Sequence, residues 1–463
     1  MAAIIPTGGS LLNSVPAPVK QTLSSAYIDF TSAGTAGWAQ QHLPDLMEQE
    51  AAVFGKRTIS GFLAQVGAEE AMTSDQVIWS EQGRLHINLA ATVTTAADGL
   101  LTFATAHELR AGDTIIVHKA AATLKCFVSE ILSTTTVTAL PYAQAALSTG
   151  SVFADTQAVT VLVYGSEFVK GVAGRDSVIA PSFKSFTNKP IIIKDKYEIS
   201  GSDASQIGWV EVTGESGQSG YLWYLKAEGD TRSRFSDYLE MSMVESEKSD
   251  ASANALVPDG TEGLFSAITS RGHITTGIAG SSAADDLGSF DNILKKFDAQ
   301  GAIQENMIYA NRTVSLAIDN MLAAQNSYGS GGTSYGVFNN SEDMAINLGF
   351  SGFRRGSYDF YKSDWKYLND AGTRGAFGDD DIRGAIIPAG VSTVYDESLG
   401  KSMKRPFLHV RYRASQTDDR KMKTWVTGSV GGNVTSDLDA MEVHYLSERC
   451  LVVQGANNFM LLT

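Results

Sequence analysis

Along the chain the spacing of apolar residues changes period several times, and each change marks a different element. Pro44, a favourable first-turn residue, is followed by Leu46, Met47, Val53 and Phe54, then by Ile59, Phe62, Leu63 and Val66, a spacing that predicts two short helices. From Gln76 to about Tyr164 the period falls to two, with many Thr and Val residues. Gln76–Ser80, Asp113–His118 and Thr134–Leu140 are expected strands, and Leu109–Val117 followed by Lys125–Leu132 has the pattern of strand, turn, strand. Residues 88–164 are accordingly predicted to form a small β-barrel or sandwich. A long, partly polar extended region, Glu167–Val212, has little core of its own, so the expectation is a projecting hairpin or contact with another molecule.

Residues 219–248 read as a long helix with Phe235, Tyr238, Leu239, Ser242 and Met243 on one stripe and Glu228 one turn before Arg232. It would span ~45 Å, with Gly229 as a point where it could break at a cost of about 1 kcal/mol. Further on, Phe290, Ile293, Leu294 and Phe297 form a helical face, Asn306–Ala310 a buried strand, and Val314, Ala317, Ile318, Met321 and Leu322 a second helix capped by Asn311. Residues 326–336 are a Gly/Ser loop; the remainder reads mostly as strands, ending in Cys450–Gln454 and Phe459–Leu462. Residues 1–43, rich in Ala, Gly, Ser, Thr and Pro, read as an extended arm. The class is α+β.

Composition narrows this picture. With 43% hydrophobic and 19% charged residues in 463, the chain can bury two or three ordinary cores. A net charge of −15 disfavours tight binding to nucleic acid. Cys126 and Cys450 stand far apart and outside any metal spacing, which predicts two buried thiols. Residues 1–20 show no basic stretch ahead of an apolar one, and Pro6, Pro16 and Pro18 interrupt them, so no signal peptide is read. No run reaches the roughly 18 apolar residues of a membrane span, and the expected setting is a reducing cytoplasm or a particle assembled there.

Patterns that could carry chemistry each have a simpler explanation. Gly332–Gly336 matches G-x-S-x-G with Ser334 as nucleophile, but a Gly/Ser run stands where a strand is required. Gly400, Lys401 and Ser402 resemble the end of a phosphate-binding loop, yet Tyr395 occupies the position of its first glycine, so a turn between strands is expected. Asp379, Asp380 and Asp381 lack calcium-loop spacing. The seven histidines (His42, His86, His107, His118, His273, His409 and His444) never pair at i,i+4. Lys401, Lys404, Arg405, Arg411, Arg413, Arg420, Lys421 and Lys423, interleaved with Asp418 and Asp419, form the only basic concentration, and salt bridges to neighbouring subunits are the expectation for it. No catalytic, cofactor-binding or metal-binding residue is assigned.

In sequence order, Tyr197–Ile207, the helix through Phe235–Glu240, the strand-to-helix passage Glu305–Thr313 and the closing segment Met441–Val453 together resemble the major capsid proteins of tailed bacteriophages, a fold shared with encapsulins. The resemblance implies an N-terminal arm (1–43), an E-loop and the start of the peripheral domain (44–87 and 165–218), a spine helix (219–260), a mainly axial domain (261–400) and return strands (401–463). An inserted β domain (88–164) departs from the plainest members; larger capsid proteins, those of crAss-like phages among them, carry such insertions. What the resemblance implies about function is a non-enzymatic virion protein with no cofactor. Its partners would be its own copies in hexamers and pentamers, then portal, decoration or scaffolding proteins, with packaged DNA only nearby and no membrane. Two other readings stand beside it: an encapsulin-type compartment, and a hydrolase using Ser334.

Overall fold

The computed structural model of the protein describes residues 62–63, 68–84, 86, 88–120, 122–172, 183–207, 222–249, 256–278, 280, 282–301, 303–325, 352–389, 391–396, 401–430 and 434–463. The arm at 1–43, the helix expected from Pro44 and the Gly/Ser loop at 326–336 lie outside these residues. Of the second expected helix, Phe62 and Leu63 are described; both are helical and buried. The chain divides into two units, one made of residues up to Ile78 together with Thr187 onward, here the body, and one made of Trp79–Phe186.

The body's first strand is β1 (Ala68–Met72), and β2 (Val77–Gln82) leads out of it. In the second unit, β3 (Asn88–Thr95), β4 (Leu100–Phe103), β5 (Asp113–Lys119), β6 (Ala122–Ile131), β7 (Thr136–Pro141) and β8 (Gln157–Ser166) close a barrel in the order β3-β4-β7-β6-β5-β8. Every neighbouring pair is antiparallel. Period-two alternation fills the interior with Val93, Leu101, Ile115, Val117, Cys126, Val128, Val137 and Val161, each fully buried. Each such side chain stabilises by about 1.5–3 kcal/mol relative to exposure. Between β3 and β4 the chain must turn hard against β7: at Gly99 (φ 69°) a Cβ would lie 2.2 Å from the Ala139 carbonyl oxygen, so only glycine fits. The return strand β9 (Phe183–Asn188) pairs with β2 to form a two-stranded ribbon.

The body continues with β10 (Ile191–Ser200) and the helices α1 (Gly201–Ile207), α2 (Leu222–Glu245) and α3 (Leu264–Arg271). Next come β11 (His273–Thr275), α4 (Ala283–Gln300), β12 (Glu305–Ala310), α5 (Arg312–Gln325), β13 (Gly352–Arg355), β14 (Tyr358–Asp364) and the short α6 (Lys366–Asn369). Strands β15 (Gly384–Pro388), β16 (Val391–Asp396), β17 (Lys401–Pro406), β18 (Leu408–Arg413), β19 (Lys423–Gly428), β20 (Ala440–Val453) and β21 (Met460–Leu462) complete it.

Two sheets organise these elements. The six-stranded one, β11-β21-β15-β12-β14-β13, is mixed and covered on both faces. Ile308, Ala310, Ile386, Met460 and Leu462 meet Phe290, Ile293 and Phe297 of α4 and Val314, Ile318 and Met321 of α5. The alternate residues Tyr309, Ala385, Ile387 and Leu461 join a second core with Leu264 and Ile268 of α3, Met243 and Val244 of α2, and Trp365. Leu408, Val410, Leu451 and Val453 of the other sheet belong to this same core. That second sheet has the order β1-β18-β20-β10, with β19 also paired to β20.

Several expectations need correction. Ile191–Ser200 does not project or wait for a partner: β10 pairs with β20 along all ten residues, because its alternate side chains Ile193, Tyr197 and Ile199 have a core to enter. Residues 201–207 are helical, started by Ser200, whose side chain accepts the Asp203 N–H at 3.1 Å and donates to the Asp203 carboxylate at 2.8 Å. The long helix runs unbroken through Gly229 for 24 residues, or ~36 Å. Its buried seam is Phe235, Leu239 and Met243; Tyr238, expected on that stripe, is 44% exposed because it points a quarter-turn away from the sheet. Asn311 does cap α5, accepting the Val314 N–H at 2.9 Å. Among the described residues no helix is long and apolar enough to cross a membrane.

Candidate functional site

A polar node of the body forms at the C-terminal end of α2. Glu245 accepts hydrogen bonds from the Tyr367 hydroxyl and from Arg374, all at 2.6 Å, and Arg374 reaches Asp381 at the same distance. The guanidinium also lies over the rings of Phe265 and Phe377, 5.2 and 5.7 Å from their centroids. Burial opposes the charge on Arg374, but the Glu245 hydrogen bond and the charges of Glu245 and Asp381 outweigh it and hold its pKa above the ordinary value. Tyr367 is pushed up by burial and then by its bond to Glu245.

Beside this node lies a cleft of about 400 Å³ lined by Glu245, Glu262, Phe265, Ser266 and Arg374 among others. Serine and threonine hydroxyls are present, but no described histidine lines the cleft, and Arg374 and Arg271 engage Glu245 and Glu262. What the arrangement does is fasten the end of α2 to the turn Arg374–Asp380 and to α6.

A second node explains the basic concentration. Arg411 pairs with Glu70 at 2.7 Å, Lys421 with Glu69, and Arg413 with Asp75, so three cations grip β1 and the loop after it. Glu448, almost fully buried on β20, receives Arg420 and Arg413. Lys423 pairs with Asp418 at 2.7 Å. Where salt bridges to neighbouring subunits were the expectation, each of these described cations has an acidic partner within the chain. Parallel pairing of β1 with β18 brings the acidic residues beside them, with Glu70 directly opposite Arg411. Lys401, Lys404 and Arg405 sit on β17, whose partner is β16; their side chains lie outside the described residues.

The remaining sequence candidates do not converge. Ser334 and Gly332–Gly336 lie outside the described residues, as do Gly400 and His42. Tyr395 and Ser402 are register partners in the β16–β17 hairpin, which is no phosphate-binding loop ahead of a helix. Asp381 is tied to Arg374, and the side chains of Asp379 and Asp380 lie outside the description. No cluster of three metal-ligating side chains exists among the described residues. His107 accepts the Leu109 N–H, His118 bonds Thr123, and His444 bonds Thr427 at 2.7 Å beneath the Trp425 ring. His273 is pushed down by burial and by nearby Lys296, His409 is buried, and His86 is exposed. Both thiols are free and buried, and burial raises each to about 12, far from a reactive thiolate.

Sequence reasoning missed Glu69, Glu70 and Asp75 as the counter-ions of the basic run. The signal was present only in part, as two adjacent acids in an otherwise apolar strand.

Compared with solved structures, the chain is similar to one from Microbacterium phage Oxtober96, with 10% identity and a TM-score of 0.41 over 94% of this chain and 99% of that one. It is similar also to a chain in the capsid structure of the cyanophage P-SCSP1u, with 8% identity and a TM-score of 0.43 over 92% and 93%. A third likeness is to a chain in the asymmetric unit of the bacteriophage PhiM1 mature capsid, with 8% identity and a TM-score of 0.43 over 91% of each. No protein-family model matches the sequence, and no curated protein does. At such identities no residue role transfers, and nothing in these likenesses points to the crAss-like phages.

Proposed function

We propose that the chain is the major capsid protein of a tailed bacteriophage, a non-enzymatic subunit that closes with its own copies into hexamers and pentamers and so into an icosahedral, DNA-containing head. One observation carries the reading: a 24-residue helix lies through Phe235 and Leu239 on a sheet whose edge strand β10 returns from a two-stranded ribbon, and a separate mixed sheet with helices on both faces follows. That is the order in which the family places its E-loop, spine helix and axial domain. In this assignment the β2–β9 ribbon belongs to the E-loop, the barrel is its insertion, α2 is the spine, and the six-stranded sheet is the axial domain.

Function then lies in area and geometry. Copies meet through a heterologous interface whose rotation closes a ring. Obligate contacts of this kind bury on the order of 2,000 Å² or more. The net charge of −15 suits a container that must not grip the DNA it holds. Portal, scaffolding and decoration proteins are the further partners the reading implies.

Negative-stain microscopy of the purified protein tests this: rings and closed shells are expected, and a compact monomer at high concentration overturns it. Particles recovered from cells are expected to hold DNA; a protein cargo instead would identify an encapsulin-type compartment. Removing residues 1–40 is expected to leave a soluble chain unable to complete shells.

A further inference from the structure

We propose that the outer face of the barrel formed by β5, β6, β7 and β8 is a contact surface for the same face of a second copy. The barrel has no interior to offer a ligand, since Val93, Leu101, Ile115, Val117 and Val161 fill it without exposure. Closure also removes every strand edge, so anything the barrel binds must be met by outward side chains.

Those side chains divide by face. On β3 and β4 they are mostly small or polar, Asn88, Ala90, Thr92, Thr94 and Thr102, with Thr94 and Thr102 hydrogen-bonded at 2.6 Å and Thr92 exposed. Around β5 to β8 polar positions such as His118, Thr123, Ser129 and Thr160 border an apolar and aromatic group. Phe127 stands opposite Leu140 (46% exposed) in the register, and Leu162 (37%) opposite Ile116. Tyr164 (50%) and Tyr142 (52%) extend the patch. Alternation fixes their outward direction, because Ile115, Cys126, Ala139 and Val161 point in. A run of this kind on a water-exposed sheet marks an interaction surface.

Charge selects the occupant. Residues 79–186 hold eight acidic and seven basic residues, a net −1, while the rest of the chain carries −14 of the total −15. Copies of the acidic body repel one another, whereas the near-neutral barrel meets its own copy without that cost. The same outer face carries the exposed cation Lys125 beside Ile116 and the exposed anions Glu130 and Glu167, the last accepting the Tyr142 hydroxyl at 2.6 Å. A two-fold contact can set Lys125 of each copy against Glu167 of the other. This goes beyond the head reading and does not require it.

The two native thiols are buried, so a cysteine introduced on the surface reports cleanly. Leu140→Cys, Tyr142→Cys, Leu162→Cys and Tyr164→Cys are made singly in the full chain, with Thr92→Cys as control, and oxidised mildly. At least one patch variant is expected to give about tenfold more covalent dimer than the control on a non-reducing gel. Lys125→Glu is expected to cut that yield several-fold, and Lys125→Glu with Glu167→Lys to restore it. Dimer at control level from all four positions overturns the proposal, as does a yield indifferent to both charge changes. A dimer formed by protein that never makes rings or shells would support this contact while removing the head reading.

Discussion

The barrel and the body are built by opposite strategies. Every barrel strand finds its neighbours within Asn88–Ser166, and the unit is close to electrically neutral. The body draws its five-stranded sheet from across the chain: the bond from Lys196 to Glu442 spans 246 positions, and Arg413 reaches Asp75 across 338. Where pairing is local, alternation and tight turns specify register by themselves. Where pairing is distant, the body adds charged contacts at the joints: the Glu69, Glu70 and Asp75 cluster on one sheet, the Arg374 node at the end of α2, and ion pairs holding α4 and α5 to β13 and β14.

This contrast breaks most sharply in the cores. Phe360 is buried between α4 and the six-stranded sheet, with the rings of Phe290 and Phe353 at 5.0 and 5.4 Å. Phe360→Ala is expected to destabilise the body by about 3–5 kcal/mol, and Leu101→Ala the barrel by about 2–5 kcal/mol. Calorimetry should show each substitution lowering one transition and leaving the other in place. A common shift of both would mean that the units unfold as one.

The next effect concerns Lys362, on β14, and Asp319, on α5, which pair at 2.5 Å with side chains only 8% and 11% exposed. Lys362→Met takes the ammonium away from this buried carboxylate and is expected to cost about 3 kcal/mol in denaturant unfolding, whereas Lys362→Met with Asp319→Leu is expected to recover most of it. Losses that simply add would show that the pair is not coupled. Arg374→Met follows at about 2 kcal/mol, since Glu245 keeps its Tyr367 hydrogen bond and partial access to solvent. The same substitution should leave the barrel transition unmoved.

The same division governs what could be read from the sequence. Strands at Asp113–Lys119 and Thr136–Pro141, the face Phe290, Ile293 and Phe297, and the Asn311 cap carry their pattern within a few residues, which is why spacing exposes them. Tyr238 misled because a helix stripe is defined only by what packs on it, and the body covers Phe235, Leu239, Met243 and Val244 but not Tyr238. Arg411, Arg413 and Lys421 looked unpartnered because β1 and the loop after it reach them from more than 300 positions away, a register that no local pattern encodes. β10 was misread for the same reason: its alternation was visible, but the strand that completes it, β20, lies at the far end of the chain.

The smallest effect sharpens the comparison through pH. Asp291 on α4 receives two hydrogen bonds from Arg355 at 2.6 and 2.9 Å, and that contact, with the positive charges of Arg355 and Lys295, holds its carboxyl below the ordinary range. A carboxyl whose folded pKa is depressed favours the folded state while ionised. Its contribution is complete above the unfolded value, about pH 4, and disappears as pH falls through the lower folded value. The pair is partly exposed, so Asp291→Asn is expected to lose about 1 kcal/mol or less at pH 7. The stability gap between the native chain and this variant should close below about pH 4, read on the body transition alone. A gap that persisted unchanged in acid would place the effect of Asp291 in packing instead of in its charge.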